Sequence, residues 1–449
     1  MVRIAKVCEK INNVSSKPDF DVKSFCYRIP ANVLRLNLSS ISLFALQMFV
    51  YYLFSAILIF FSYKSVRGGI DYLNYFIAEF AKPTSNYTPF CSIIVPCRGL
   101  DEGLEENLSM LFRQNFPQYE VLFAVDDAQD NSVSVIEKVS RQNAQITKLV
   151  VAGKAKDESQ KVHNLREAVL KVSDQSQVFV FVDSDARPGE NWLRNLIAPL
   201  QSENIGCATG YRWFISKKNT FSSQMRSVWN ASIASALGAN TTSNFCWGGS
   251  MAIRRDVFDK LDMREKWRGT LSDDFAVTRT MKAANLPIYF VPNCLTASVE
   301  DCTWRELLEF TTRQMKITRV YAPHLWKASF LGSFLFNSVF VWGIFIIAFY
   351  SINTFAFWVA VASLSLVSAF SIGKAWLRLN AVKLVLKNYE KELSKQFWTQ
   401  NTLWILSPAL FFYNAFRALL SRKIVWRGIG YELKSPDKTI IIQADTTPR

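Results

Sequence analysis

Asp183 and Asp185 stand one residue apart at the end of the apolar run Val178–Val182, in the segment VFVFVDSDARPG. Two carboxylates so close repel each other unless a cation or a basic side chain lies beside them. Mg2+ and Mn2+ prefer oxygen ligands and are held by one or two carboxylates together with substrate phosphates. A D-S-D turn therefore suits a divalent ion carrying a nucleoside diphosphate, although the bare pattern is common by accident. Two other apolar runs end in reactive groups. Arg98 follows SIIVPC, and Asp126–Asp127 follow EVLFAV. The chain has only two histidines, His163 and His324, which argues against histidine-based catalysis or a histidine metal cage. Its eight cysteines form no Cys-x-x-Cys pair, so neither a zinc site nor a disulfide framework is expected.

These groups need a scaffold that brings them together. From about residue 81 to 325 strand and helix signals alternate. CSIIVPCRG, YEVLFAVDDAQD, ITKLVVAG and VFVFVDSD read as strands; LEENLSMLFRQ, NSVSVIEKVSRQ and KVHNLREAVLKV read as helices. This order predicts an α/β domain with a mostly parallel sheet covered on both faces. Ligands of such sheets bind at the carboxyl ends of the strands, where Arg98, Asp127, Asp183 and Asp185 all fall.

The chain has 449 residues and a formal net charge of +15. It has no charged residue from Leu36 to Tyr63, about 28 positions, more than the ~20 needed for a helix to cross a bilayer. Further apolar stretches are FLGSFLFNSVFVWGIFIIAFYSI, FAFWVAVASLSLVSAFSIG and TLWILSPALFFYNAFRALL. The last carries Pro408, Asn414 and Arg417 and is read as a span, a re-entrant hairpin or an interfacial helix, with non-crossing preferred. The resulting division is a basic segment 1–35, an anchor 36–63, a catalytic domain 81–325, a membrane region 330–420 and a tail 421–449. With membrane segments in the same chain, the positive charge points to the bilayer surface and away from nucleic acid. Lys374, Arg378, Lys383, Lys387, Lys391 and Lys395 are expected in a lipid-facing cytoplasmic loop or on a solvated helix face.

Residues 90–325 resemble inverting glycosyltransferases of family 2 type, and more closely the ceramide glucosyltransferase branch. The motifs occur in order: SIIVPCRGLDEGLEENLSMLFRQNFPQYEVLFAVDDAQD, QKVHNL, FVDSDARPG, FCWGGSMAIRRDVFDKL, GTLSDDFAVTR and RQMKI. The resemblance implies a GT-A type nucleotide-sugar-binding domain. It makes Asp127 the contact to the base, with Asp126 its neighbour, and points to Lys161 and Asn164. Asp183 and Asp185 become the metal-and-diphosphate turn, and Asp274 the catalytic base, with Asp273 before it expected as a helix N-cap. Arg313 and Lys316 become basic groups near the diphosphate, and Arg98 stands as a further cofactor-binding candidate from its place at a strand end. RQMKI departs from the family form (Gln/Arg)-x-x-Arg-Trp: Lys316 replaces an arginine and Ile317 a tryptophan, which loses a planar fork and a stacking platform. KIVWRGIGYEL resembles the tail of bacterial lipid glycosyltransferases, including hopanoid-linked ones.

The resemblance implies an integral membrane enzyme with its catalytic domain on the cytosolic side. It would use Mn2+ or Mg2+ and a UDP-sugar donor, with a lipid acceptor, foremost ceramide, and glucose the implied sugar. The alternatives are another lipid acceptor (a hopanoid, diacylglycerol or polyprenyl phosphate), a polysaccharide synthase, and a degenerate nucleotide-sugar-binding membrane protein without turnover.

Overall fold

A computed structural model describes residues 31–443, with side chains described from Leu43 to Ile442. The basic segment expected over 1–35 lies outside the described residues up to position 30, as do 444–449 of the tail. The long helix α1 (Ala31–Phe80) leads into a seven-stranded sheet of order β3-β2-β1-β4-β6-β5-β7. The strands are β1 (Cys91–Pro96), β2 (Tyr119–Val125), β3 (Thr147–Val151), β4 (Val178–Phe181), β5 (Cys207–Ile215), β6 (Met251–Arg254) and β7 (Ile288–Val299). β6 runs antiparallel to both its neighbours, β4 and β5, and every other pairing is parallel. The expected mostly parallel α/β sheet is what the chain forms.

The unbroken apolar run of β4 follows from burial on both faces. Val178 and Val180 join one core with Ile93, Val95, Val121 and Phe123. Phe179 and Phe181 join the other with Ile94, Leu122 and Ala124. Each fully buried side chain of this size contributes roughly 1.5–3 kcal/mol. Both cores converge on the sheet that delivers Asp183 and Asp185 to its edge.

The principal helices of the domain are α2 (Gln160–Ala168), α3 (Phe221–Ala234), α4 (Asp273–Ala283) and α5 (Trp304–Tyr321). Ser159 caps α2 by accepting from the Val162 amide, and Thr303 with Glu306 forms a capping box at the start of α5.

Among the described residues three helices are long and apolar enough to cross a membrane, α1 over Leu43–Phe80, α6 (Pro323–Phe349) and α7 (Phe355–Val385), and the bent pair Lys387–Ile405 with Ser407–Leu420 would make a fourth if taken as one span. Lipid offers no partner to backbone polar groups, so such segments must be helical. At 1.5 Å per residue, 38 residues of α1 extend ~57 Å, well beyond the ~30 Å hydrocarbon core. The excess enters the α/β domain. Tyr72 and Phe76 are buried in its core, and the Tyr75 hydroxyl donates to the Phe290 carbonyl at 2.6 Å. The helix therefore continues past position 63, where the uncharged run ends.

After α7 come α8 (Glu390–Thr402) and α9 (Ser407–Leu420), in two segments bent by 59°. The 14 residues of α9 reach only ~21 Å. Its polar groups face inward: Asn414 accepts from the Thr311 and Thr312 hydroxyls of α5, and Trp326 of α6 donates to Ala415 O. The expected basic loop divides. Lys387, Lys391 and Lys395 are exposed, whereas Arg378 lies buried within α7 and Lys374 is half-buried there, so these two are not part of a lipid-facing loop. A three-stranded antiparallel sheet, β8 (Lys423–Trp426), β9 (Ile429–Ser435) and β10 (Lys438–Gln443), ends the described chain and packs on the catalytic domain through Leu271, Ile317, Tyr321, Tyr431 and Leu433.

His163 of α2 faces two acceptors, with Nδ1 3.0 Å from Glu158 and Nε2 3.1 Å from Ala152 O. The hydrogen bond to Glu158 holds the imidazole pKa above its ordinary 6.5. A group raised on folding stabilises fully below its unfolded pKa and loses that contribution as pH rises through the folded value. Thermal melts of the wild type should therefore show a stability component lost above about pH 6.5. His163→Gln should flatten that decline, and an unchanged profile would contradict the assignment.

Candidate active site

The D-S-D turn sits where side chains from distant segments converge. Lys161, in the first turn of α2, lies 2.7 Å from Asp183 and 3.0 Å from Asp273. It thereby links the turn after β4 to the start of α4. Despite burial, Asp183, Asp273 and Asp274 hold its ammonium above the ordinary range. Against the same cost of burial, Lys161 holds Asp183 below the usual carboxylate range. Asp185 behaves differently. Its Oδ2 is 3.4 Å from Arg212 of β5, while its buried Oδ1 has no hydrogen-bond partner among the described residues. Burial pushes Asp185 up to about 7, with Arg212 opposing and Asp183 adding to the rise.

The two acids of GTLSDD part company. Ser272 occupies the N-cap of α4 without a side-chain cap bond, and Asp273 is 2% exposed beside Lys161. The expected capping role of Asp273 is thus replaced by an ion pair: its side chain turns into the core toward a cation. Burial pushes Asp273 up to about 6, with Lys161 opposing. Asp274 is half-buried, accepts from the Ser272 hydroxyl, and takes the Gly248 amide at 3.3 Å. Gly248 is required by space. A Cβ there would stand 2.2 Å from Asp273 Oδ2 and 2.9 Å from Lys161 Nζ.

The basic side of the site comes from β5, α5 and the C-terminal sheet. Arg212 lies among the rings of Phe214, Trp247 and Phe310 at 5.0–5.3 Å. Arg313 of α5 lies 5.6 Å from both Phe310 and Trp426, and makes no ion pair among the described residues. Burial, then Arg212 and Arg427, lower its pKa to about 10. Lys316, one turn along, instead donates to Lys423 O of β8 at 2.6 Å and braces the tail. Ile317 is a core residue against that sheet.

Arg427 escaped the sequence reading. It occupies the β8–β9 turn with φ 47°, followed by Gly428 at φ 81°. Such turns favour Asn or Gly at the first position, and an arginine there is strained. Its guanidinium donates to Asp101 at 2.9 and 3.0 Å and to Arg98 O. Asp101 in turn accepts from the Ser184 hydroxyl, the middle residue of D-S-D, at 2.6 Å. Asp101, Asp185 and Asp183 hold Arg427 above its ordinary range despite burial. A signal was present in the tail motif, where an R-G pair stands at the turn between two alternating runs.

A second cluster lies at the end of β2. Asp126 is buried and pairs with Arg98 at 3.1 Å and Lys154 at 3.0 Å. Asp127 is half-buried, lies 3.5 Å from Lys154, and is held below the usual carboxylate range by the Gln129 amide. Asn164 is structural, joining α2 to Ala124 O of β2 at 3.2 Å. The structure thus gathers Lys161, Asp183, Asp185, Asp273 and Asp274 into one cluster, with Arg212, Arg313 and Arg427 on its basic side. Arg98, Asp126 and Asp127 form a separate group around Lys154, and Lys316 lies apart.

The α/β sheet gathers carboxylates and guanidinium groups at its strand ends, and the described residues add three helices of membrane-spanning length. The model of the family described as "Glycosyl transferase family 21" matches residues 49–439, and the chain belongs to that family. Glycosyltransferase AglE of Haloferax volcanii is 21% identical over 179 residues, covering 39% of this chain and 47% of that protein. The chain thus spans about half the length of that curated relative. Among solved structures, mannosyltransferase PcManGT from Pyrobaculum calidifontis, in complex with GDP-Man and Mn2+, is 15% identical at TM-score 0.42, covering 82% of this chain and 99% of that one. GalNAc-T7 with UDP, GalNAc and Mn2+ is 12% identical at TM-score 0.36, covering 50% and 48%. Neither likeness bears on the donor or metal of this chain.

Gly248→Ala should preserve the fold and cut sugar transfer by ~10²-fold, because displacing Asp273 and Lys161 misplaces the groups they hold. Turnover on a labelled donor, with a melting curve as control, checks it.

Proposed function

We propose that the protein is a metal-dependent, inverting transferase that moves a sugar from a UDP-sugar to a lipid hydroxyl, with ceramide the leading acceptor and glucose the leading sugar. The observation that carries this reading is Lys161, which ties the D-S-D acid Asp183 to the α4 acids in one mouth. The residues present fit a divalent cation. Asp185 Oδ1 is buried without a hydrogen-bond partner among the described residues, and burial, then the nearby Asp183, push its carboxyl up. Asp183 and Asp185 would hold Mg2+ or Mn2+, which when bound offsets the charge growing on the departing diphosphate.

The acceptor oxygen attacks the anomeric carbon from the side opposite the diphosphate. The carbon–oxygen bond to the β-phosphate breaks, and its electron pair leaves with UDP. The hydroxyl proton passes to Asp274, whose half-buried carboxylate is steadied by Ser272 and the Gly248 amide. Asp273, buried against Lys161, is unsuited to that task. Arg313, held between two rings without an acid of its own, and Arg427, drawn in by the tail, supply donors for the diphosphate. Asp127, half-buried after the end of β2, serves the nucleotide base. We place the catalytic domain on the cytosolic side, which matches the exposed Lys387, Lys391 and Lys395 after α7.

Incubation with a panel of UDP-sugars and lipid acceptors, read by mass spectrometry, should give a lipid bearing one sugar. A polymer, or no product with any lipid, would refute the reading. Asp274→Asn should keep UDP binding while turnover falls by ~10²–10⁴-fold. Normal turnover in that variant would sink the base assignment. Arg427→Asn keeps a residue suited to positive φ, so the turn survives. UDP affinity, measured by calorimetry, should fall about tenfold or more, as for loss of a charge-assisted bond.

A further inference from the structure

We infer that the cavity between the membrane helices and the catalytic domain binds a lipid with an anionic phosphate headgroup, at a site separate from the donor mouth. The cavity has a volume of about 310 Å³ and lies among α1, α3, α6, α7 and the bent segment around Pro408. Its wall carries two cations, Lys374 and Arg378, several serine hydroxyls including Ser62, Ser65 and Ser371, and no carboxylate. Arg378 is 5% exposed; one guanidinium nitrogen donates to Gln400 Oε1 at 3.1 Å, and its buried Nε has no partner. Lys374 donates to Ser65 Oγ at 2.9 Å. Neither cation makes an ion pair among the described residues.

This is an uncompensated charge. The two cations lie one helical turn apart on α7, a spacing that is destabilising for like charges. Taking a charge out of water without a partner costs several kcal/mol. An anion removes both penalties, and phosphate suits the set, because it accepts from a guanidinium fork, an ammonium and hydroxyls together.

The depth and the remaining walls select a lipid. Along α1 the first charge after Leu43 is Lys64, and along α7 it is Lys374. Ser62, Ser65 and Ser371 therefore stand where both apolar runs end, at headgroup level. Phe61, Phe336, Trp404 and Phe411 complete the wall with apolar surface for the first carbons of the chains. The face of α3 bearing Val228 and Ser232 lines the cavity, whereas Ser227 and Asn230 of the same helix bond to Phe214 and Arg212 of β5. A neutral sphingolipid would leave both cations without counter-charge, so the site is distinct from that of a ceramide acceptor and does not depend on the donor chemistry.

The full chain in phosphatidylcholine nanodiscs, given a photoactivatable phosphatidylglycerol, tests this. Crosslinks should map to peptides containing 61–65 or 371–378, and unlabelled phosphatidylglycerol should compete while phosphatidylcholine should not. Arg378→Gln should lower the yield about tenfold, the loss of one charge-assisted contact, and Arg378→Lys should retain most of it. If Arg378→Gln does not fold, Lys374→Met is read the same way. No crosslink at these peptides, equal competition by phosphatidylcholine, or unchanged yield in the folded variant would overturn the proposal. Competition by inorganic phosphate at matching concentration would replace it with a soluble-anion site.

Discussion

The turn after β4 forces acids together that cannot coexist alone, and much of the domain's long-range structure is the answer to that repulsion. Asp183 is balanced by Lys161 from α2, Asp185 by Arg212 from β5, and Asp101 by Arg427 from the C-terminal sheet. Lys161 carries the balance on to Asp273 at the start of α4. None of these pairs is local, so the electrostatics join elements that backbone hydrogen bonding leaves independent. The balance is incomplete at Asp185 Oδ1 and Asp273 Oδ2, two acceptors without a hydrogen-bond partner among the described residues, and at Arg313, a cation without an ion pair among them. Buried polar groups are ordinarily satisfied, so these exceptions leave the cluster electrostatically unfinished.

The tail's docking also constrains the topology. The catalytic domain lies between α1 and α6, and the sheet β8–β10 packs against that same domain. If α6 leaves that side and α7 returns to it, the segment from 386 to 422 must cross an even number of times. The 59° bend, the short α9 and its hydrogen bonds to Thr311, Thr312 and Trp326 fit zero crossings. α9 then lies along the amphipathic α5, at the border of bilayer and domain, and α5 carries Arg313. α9 is thus one helix away from the carboxylate cluster around Asp185.

The strands were legible because burial on both faces writes a continuous apolar run, as in Val178–Phe181, and the acids at their ends were legible because polar residues interrupt such runs abruptly. The start of a helix at SDDFAVTR was legible, but that Asp273 turns inward while Asp274 does not was hidden. Which of two adjacent acids turns inward depends on Lys161, more than 100 positions away. β6 running antiparallel was also hidden, since MAIR has no directional mark. Arg378 read as one basic residue in a series, because a charge beside an apolar run looks the same whether its helix face meets lipid, water or a cavity. Arg427 was hidden for the opposite reason: its motif was visible, but its role requires knowing that the tail folds back onto Asp101.

Asp273 and Asp274 show how one dipeptide can serve two tasks. Both lie in the first turn of α4, where the helix dipole favours negative charge. What separates them is orientation. Asp273 is enclosed with an ammonium and pays for that enclosure with a raised pKa, so its natural function is to fix Lys161. Asp274 keeps a route to the open side and takes hydrogen bonds from Ser272 and Gly248 that aim it. Exchange of the two roles would need a 100° rotation of α4, the angular step between successive residues, which Trp267 opposes by donating to Asp273 O from within the core. Which of the two acids turns outward is therefore selected by the packing of the helix, and that packing is held by the buried indole of Trp267.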